Sequence, residues 1–327
     1  MKIGFFPGCS LEGSAREYNE SLQAIAPLLG IELAEVPDWN CCGATAAHTL
    51  NHSLALALPA RILALAEKAG MDELVVPCSA CFSRLASTRH ELRQNEALRR
   101  AIATCIEIEY TGRTKIVNVL ELLLRCAANG LKEKVRQPFA HQVACYYGCY
   151  LTRPAEIATC QRAEDPQEMD ELMKLVGAEP LDWAFKVECC GAGLSVSRTE
   201  TVAELSGRIV EDAVYRGAEA IIVACPMCHT NLDLRRGAIE RRRQAKYAIP
   251  VLYVSQVIGL ALGLSEREVG LHRHHVPVRF AAPDRAGPSA DRAQPGGGPP
   301  GSDATPEPQP VASSTAADPG AGRSKEE

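Results

Sequence analysis

The sequence holds no apolar run long enough to cross a bilayer. Its most apolar late stretch, residues 251–264, is 14 residues long and carries Ser255 and Gln256, whereas a spanning helix needs about 20 apolar residues. A basic excess is also missing. Lys and Arg number 35 against 40 Asp and Glu, for a net charge of −5, so there is no bulk positive field to draw nucleic acid. The first nine residues contain no apolar h-region; no export signal is expected there, and the chain is read as cytoplasmic. There is no strand–GxGxxG–helix fingerprint and no P-loop, since the Gly296-Gly297-Gly298 run lies in a Pro-rich segment. Electrons for any redox chemistry must therefore come from another chain.

What the sequence has in excess is cysteine. Fourteen in 327 residues is high for an intracellular chain but far below the density of a small disulfide scaffold. Ten of them form two sets of five: Cys9, Cys41-Cys42 and Cys78-x-x-Cys81, then Cys149, Cys189-Cys190 and Cys225-x-x-Cys228. Corresponding positions lie 140 residues apart at the first cysteine and 147 or 148 apart at the others. A near-constant offset over such a span marks an internal repeat. The extra residues of the second copy are placed in the polar stretch 158–165. The flanking residues repeat as well: Cys41-Cys42-Gly43-Ala44 matches Cys189-Cys190-Gly191-Ala192, and Leu74-Val75-Val76-Pro77-Cys78 is mirrored by Ile221-Ile222-Val223-Ala224-Cys225.

The chain thus reads as an N-terminal module over 1–135, a homologous module over 136–270 and a tail over 271–327. Residues 283–327 contain nine Pro, seven Gly and no aromatic in 45 positions. Such a segment buries too little apolar surface to offset its chain entropy, and disorder is expected.

Each module reads as alternating strand and helix. Strands are expected at 3–6, 31–36 and 74–76, and in the second copy at 143–144, 180–181 and 220–224. Leu22, Ile25 and Leu29 mark one helix face. Leu54, Leu58, Ile62 and Leu65 mark the next, broken or bent at Pro59 and stopped at Gly70. A further helix should open at Cys81 and run toward Leu98, and another should follow Cys228. Every motif cysteine then lies at a strand end or a helix start, the edge at which open α/β sheets build their sites.

Four chemistries compete for five cysteines per module. Structural disulfides need an oxidising compartment, and the vicinal Cys41-Cys42 pair would close a strained ring. A thioredoxin-type dithiol suits a C-x-x-C at a helix start but leaves six other paired-up cysteines unexplained. Zinc takes four ligands and would have to discard one of five in both modules. An iron–sulfur cluster presents several metal corners to soft thiolates, and the pattern contains no histidine. Gly43 and Gly191, after the vicinal pairs, allow the backbone to turn and approach inorganic sulfide closely.

The pattern C-x31-CC-x35-C-x2-C and its repeat resemble the CCG-domain proteins, most closely the B subunit of heterodisulfide reductase. The matching details are Pro7-Gly8-Cys9, Trp39-x-Cys41-Cys42-Gly43-Ala44 and Pro77-Cys78-x-x-Cys81. In the second half they are Ala144-Cys145-Tyr146-Tyr147-Gly148-Cys149, Arg153-Pro154, Glu164-Asp165-Pro166 and Cys225-Pro226-Met227-Cys228-His229-x-Asn231-Leu232-Asp233. The resemblance covers about residues 1–262. It implies an α/β fold of two homologous Rossmann-like modules related by a pseudo-two-fold, each holding one non-cubane [4Fe–4S] cluster. The first would be ligated by Cys9, Cys41, Cys42, Cys78 and Cys81, the second by Cys149, Cys189, Cys190, Cys225 and Cys228. A small-molecule disulfide would be cleaved or formed between them. Electrons would pass through a partner carrying cubane [4Fe–4S] clusters, fed by a flavin subunit. The alternative within the superfamily is an electron-relay subunit of a succinate or fumarate–quinone system or of a glycolate or lactate oxidation complex.

Smaller features carry lesser expectations. His229 is weighed as a proton relay against a structural hydrogen bond. Tyr146 and Tyr147 are weighed as substrate-gap residues against core packing. Cys145 is expected in a buried or supporting place, and Cys105, Cys126 and Cys160 in the core. His272, His274 and His275 read as a solvated terminus, and Arg235, Arg236 and Arg241 to Arg243 as a solvated helix face.

Overall fold

The computed structural model describes residues 1–44 and 47–280, apart from the side chain of His48. Within them the strands form two four-stranded sheets, parallel throughout. The first is ordered β2-β1-β3-β4, from β1 (Lys2–Phe5), β2 (Glu32–Glu35), β3 (Glu73–Val76) and β4 (Lys115–Asn118). The second is ordered β6-β5-β7-β8, from β5 (Gln142–Tyr146), β6 (Glu179–Pro180), β7 (Ala220–Val223) and β8 (Val251–Tyr253). The two orders are the same, as a repeated α/β module requires.

Helices fill the connections. In the first half these are α1 (Gly8–Glu12), α2 (Arg16–Leu28), α3 (Ala47–Leu50), α4 (His52–Lys68), α5 (Ser79–Gln94), α6 (Glu96–Ile106) and α7 (Val119–Ala128). In the second they are α8 (Glu168–Leu175), α9 (Thr199–Tyr215), α10 (Pro226–His229), α11 (Arg236–Arg243) and α12 (Val254–Ala261). The central strands β1, β3 and β5 are buried beyond their first, polar residue, and β7 is buried throughout, all four residues of AIIV. A strand covered on both faces has no polar side to show, so alternation disappears. Phe5 lies opposite both Glu35 and Val75, and Val75 opposite Val117. The strands therefore end level, and the loops that follow them leave from one edge.

Local chemistry moved three expected boundaries. Helix α4 runs through Pro59 without a break. The ring forfeits one backbone hydrogen bond, but Leu56, Ile62, Leu63 and Ala64 are buried around it, and that packing carries the helix. The helix expected to run from Cys81 toward Leu98 begins at Ser79 and divides at Asn95, which ends α5 and caps α6 by accepting the Leu98 N–H at 3.0 Å. The fourth strands, β4 and β8, were not expected; each is only three or four residues long. Ile116-Val117 and Val251-Leu252 are their only marks in the sequence.

The two halves meet through α2 and α12. Tyr18 stacks on Tyr253 with ring centroids 4.1 Å apart, and the Ser21 and Ser255 hydroxyls are 2.6 Å apart. Packing continues beyond the expected start of the tail at 271: Leu271 and Val276 are buried, and the Phe280 ring stacks on His141 at 4.2 Å. The tail's expected disorder otherwise falls on residues 281–327, outside those described. Among the described residues, no helix is long and apolar enough to cross a membrane.

Glu17 is buried at the same junction, 5% exposed, and desolvation lifts its carboxyl from 4.5 to about 7. A folded-state pKa above the unfolded one gives stability that is complete below pH 4.5 and lost as pH rises through 7. The span of the shift sets the loss at about 3 kcal/mol. Glu17→Gln is therefore expected to unfold at a higher temperature than the parent at pH 8, with the advantage shrinking toward pH 5. Thermal melts across that range check it, and parallel curves for the two proteins would refute it.

Candidate metal centre

The loops that leave the common strand edge carry the cysteines. Cys9 follows β1, Cys41 and Cys42 follow β2, and Cys78 and Cys81 bracket the start of α5 after β3. In a 2-1-3-4 sheet the strand order reverses between β1 and β3, and the crevice outside that switch point is where such folds bind ligands. All five sulfur-bearing residues of the first set line one cavity of about 300 Å³. Cys42 and Cys81 Sγ are 3.0 Å apart, and the Gly43 N–H donates to Cys41 Sγ at 3.4 Å. The second set repeats the arrangement: Cys190 and Cys228 Sγ are 3.8 Å apart, and the Gly191 N–H donates to Cys189 Sγ at 3.3 Å.

Crowded thiols cannot all ionise alike. Cys42 is held down at about 4 by hydrogen bonds from the Cys41 and Cys81 thiols, both of which are pushed up. In the second set Cys189 falls to about 6 beneath a hydrogen bond from Cys149, and Cys225 to about 7 beneath one from Cys228. In each set, raised thiols thus donate to lowered ones, and a soft cation there would replace the shared protons.

Two glycines shape the cradle. Gly8 and Gly148, each just before the first cysteine of its set, stand at φ +64° and +67°. A Cβ on Gly8 would lie 3.2 Å from Cys81 Sγ, and one on Gly148 only 2.9 Å from Cys228 Sγ. Converging thiols, glycine-lined sulfur and, among the described residues, no nitrogen donor in the cavity wall fit a thiolate-ligated metal or iron–sulfur group.

Several side chains that the sequence does not single out take part. Tyr150, half-buried, lines the first cavity from the second half together with Ala192, Ser195, Val196 and Met227. Burial and the neighbouring Cys149 sulfur keep its phenol protonated. Asn231 is fully buried and donates to Cys190 O at 3.1 Å and to Cys190 Sγ at 3.5 Å. Its place in the resemblance motif was the available signal.

Other expectations change. His229 does not line that cavity. It donates from Nε2 to Val251 O at 3.1 Å, stacks on Tyr253 at 4.4 Å and is driven to about 3 by burial, so it stays neutral in a structural place. Tyr146 and Tyr147 are core residues, donating to Glu188 O and Asp170 Oδ2. Cys145 and Cys126 are buried and Cys160 is half-buried, but Cys105 is exposed on the outer face of the amphipathic α6. His274 is not a solvated terminus: it is half-buried with an edge toward the His229 ring. Arg236 is likewise buried, donating to Leu232, Tyr247 and Ile249 carbonyls, and Arg235 donates to Ser195 O. The guanidinium fork ties these carbonyls of the turn after Cys228 and of the segment before β8 together.

His229, Asp233 and His274 offer ligand atoms within 4.8 Å of one another, yet they are poorly set for a metal. Asp233 already accepts the His275 and Val276 N–H groups at 2.8 and 3.1 Å. Gln256 Oε1 is held by the Tyr253 N–H, so its amide NH₂ faces His274 Nε2 at 2.8 Å. Neutral His274 then carries its proton on Nδ1 and presents no lone pair there.

The cysteine-rich domain family, CCG, matches residues 3–86 and 143–233. The 8-methylmenaquinol:fumarate reductase membrane anchor subunit of Wolinella succinogenes is 31% identical over 84% of this chain and 96% of its own length. The B subunit of the ferredoxin/F(420)H(2)-dependent CoB-CoM heterodisulfide reductase of Methanosarcina acetivorans is 29% identical over 86% of this chain and 96% of its own. A solved structure of a hypothetical protein from Helicobacter pylori shares the fold with a TM-score of 0.70 at 13% identity, over 86% of this chain; the chain spans about half of that protein, 53%. The chain belongs to the CCG cysteine-rich family and is a homologue of the heterodisulfide reductase B subunit.

The cradle separates two kinds of glycine. Gly30 also has a positive φ, +73°, but a Cβ there meets nothing within 4 Å. Gly30→Ala is expected to cost about 1 kcal/mol in backbone strain and to leave metal content unchanged. Gly148→Ala, with similar strain, is expected to lower the metal content, because its Cβ would press on Cys228 Sγ. Elemental analysis of anaerobic preparations checks this, and equal metal in the two variants would refute it.

Proposed function

We propose that this CCG-family chain is the disulfide-handling iron–sulfur subunit of a heterodisulfide-reductase-like complex. Cys9, Cys41, Cys42, Cys78 and Cys81 would hold one non-cubane [4Fe–4S] cluster, and Cys149, Cys189, Cys190, Cys225 and Cys228 a second. The observation that carries the reading is the shared cavity: all five thiols of the first set open onto a space whose far wall is Tyr150, Val196 and Met227 of the second half. A pocket walled by both halves suits a small molecule that must be met from two sides.

Bound in these cradles, such clusters supply the two electrons of R–S–S–R′ + 2e⁻ + 2H⁺ → R–SH + R′–SH. The protein's own part is to bind the molecule and to hydrogen-bond the sulfur that leaves. Ala192, Val196 and Met227 make the cavity wall partly apolar, which favours the organic portion of a disulfide over solvent. Tyr150 keeps its phenol O–H beside the cavity, a donor that can hydrogen-bond to a leaving thiolate. A cubane-cluster subunit and a flavin subunit would deliver the electrons in the cytoplasm.

A second reading has its own support, since the fumarate reductase relative is as similar as the heterodisulfide reductase one, 31% against 29%. On that reading the same thiols hold clusters that pass electrons between a dehydrogenase and a quinone. Assays of the complex purified without oxygen distinguish the two. Disulfide-dependent oxidation of a reduced dye supports the first, and quinone-dependent turnover without it supports the second. In the first case Cys42→Ala and Cys190→Ala should each abolish turnover while the other set keeps its iron and its EPR signal. Turnover surviving either change would refute disulfide cleavage by two clusters. A zinc-loaded, sulfide-free protein would refute both readings.

A further inference from the structure

The two cysteine sets share their order of motifs and their glycine N–H donors but not their surroundings. After Cys228 the chain leaves α10 in a π-helical turn over Thr230–Leu234, a widened turn that commonly accompanies functional sites. That turn carries Asn231 inward to full burial. The first half has no such turn: α5 continues regularly from Ser79 to Gln94. At the 147-residue offset of the C-x-x-C pairs its residue is Arg84, half-exposed and, among the described residues, without a hydrogen bond to a first-set sulfur.

The orientation of the Asn231 amide is fixed by its partners. Cys190 O can only accept, so the NH₂ end must face it, at 3.1 Å. The second amide hydrogen is then aimed at Cys190 Sγ, 3.5 Å away. On the opposite side Oδ1 accepts from Ser195 Oγ at 2.9 Å. Ser195 lies in the loop that follows the vicinal cysteines and also lines the first cavity. A fully buried amide with all its polar atoms satisfied is rigid, and a buried polar group is costly unless it is so satisfied.

We propose that Asn231, tethered by Ser195, is a redox-positioning residue: its amide N–H on the Cys190 sulfur holds the reduction potential of the iron–sulfur centre in the second set above that of the same centre without this donor. A hydrogen bond to a ligating thiolate stabilises the more negative, reduced state and so raises the potential. Gly43 and Gly191 donate alike to Cys41 and Cys189, so among the described residues the Asn231 contact is an addition peculiar to the second set. It makes the two centres inequivalent although their cysteines are the same. The inference rests on the reading that the second set binds an iron–sulfur centre.

The test is an EPR-monitored redox titration of the anaerobically purified complex, with iron and sulfide counted in each sample. Cys190→Ala, by removing one signal, assigns the signal of the second set. Asn231→Leu is expected to make the reduced-to-oxidised ratio of that signal about tenfold smaller at the parent midpoint, a shift of about −59 mV for a one-electron couple, and to leave the other signal in place. Ser195→Ala, which keeps the amide but frees it, should shift the same signal in the same direction by less. Full iron content with unmoved potentials in both variants would overturn the proposal and leave the iron–sulfur reading standing. Loss of iron from the second set in both would also overturn it, by making Asn231 and Ser195 folding residues only. A parent complex with no iron in the second set would instead overturn the reading beneath it.

Discussion

The structure depends on holding five thiols where their sulfurs nearly touch. Sulfurs 3.0 Å apart in one set and 3.8 Å apart in the other cannot all carry charge in a partly buried site. Like charges at that distance repel, and burial removes the water that would screen them. Protons must be shared among them, or a multivalent soft cation must take their place. The pairing of raised with lowered thiols within each set is the proton-sharing answer to that constraint. A group with several metal corners resolves it for all five at once, which a single tetrahedral ion does not.

Sheet topology makes the crowding possible. Neighbouring strands of a parallel sheet end at one edge, and crossover helices return each chain to the opposite edge. Three consecutive loops can therefore deliver ligands to one point although 31 and 35 residues separate them in the sequence. Glycine finishes the task where backbone and sulfur would otherwise collide, at Gly8 and Gly148. The second half then closes over the first. The junction of α2 with α12 is tied by the Tyr18–Tyr253 stack and the Ser21–Ser255 contact, and Tyr18 and Ser79 both donate to Ala224 O, next to Cys225. The junction thus reaches from the helix backs to the cysteine loops, so the two sites are registered to each other by the same contacts that hold the halves together.

The repeat, the α/β class and the candidate thiols were legible because they rest on residue types with few other uses. A vicinal cysteine pair followed by glycine, met twice at one offset, has little meaning outside a site. The buried strands β3 and β7 were legible as apolar runs. What stayed hidden was set by tertiary partners. His274 reads as part of a polar terminus, yet Gln256 takes it into the interior. Arg236 reads as one of several arginines on a solvated face, yet it is buried and donates to three backbone carbonyls. Cys105 reads as a core residue because cysteine is usually buried, but α6 is strongly amphipathic and places it on the wet side. Strands β4 and β8 are too short to show a period.

The exposure of the sulfurs bears on how electrons and substrate reach the site. Cys9, Cys41 and Cys189 are exposed, while Cys42, Cys78, Cys81, Cys190, Cys225 and Cys228 are buried. Each set therefore has an inner side packed against the strand ends and an outer side open to solvent. A group bound there would be reachable from outside past the loops that carry Cys9, Cys41 and Cys189. Those loops also carry the exposed apolar side chains Leu50, Leu194 and Val196, the last 94% exposed. Apolar surface beside an open sulfur site raises the free energy of the chain alone and falls once something covers it. A redox group so placed is also open to oxygen and water, which favours work inside an assembly. The open edge, rather than the packed interior, is thus where the chain's chemistry meets other molecules.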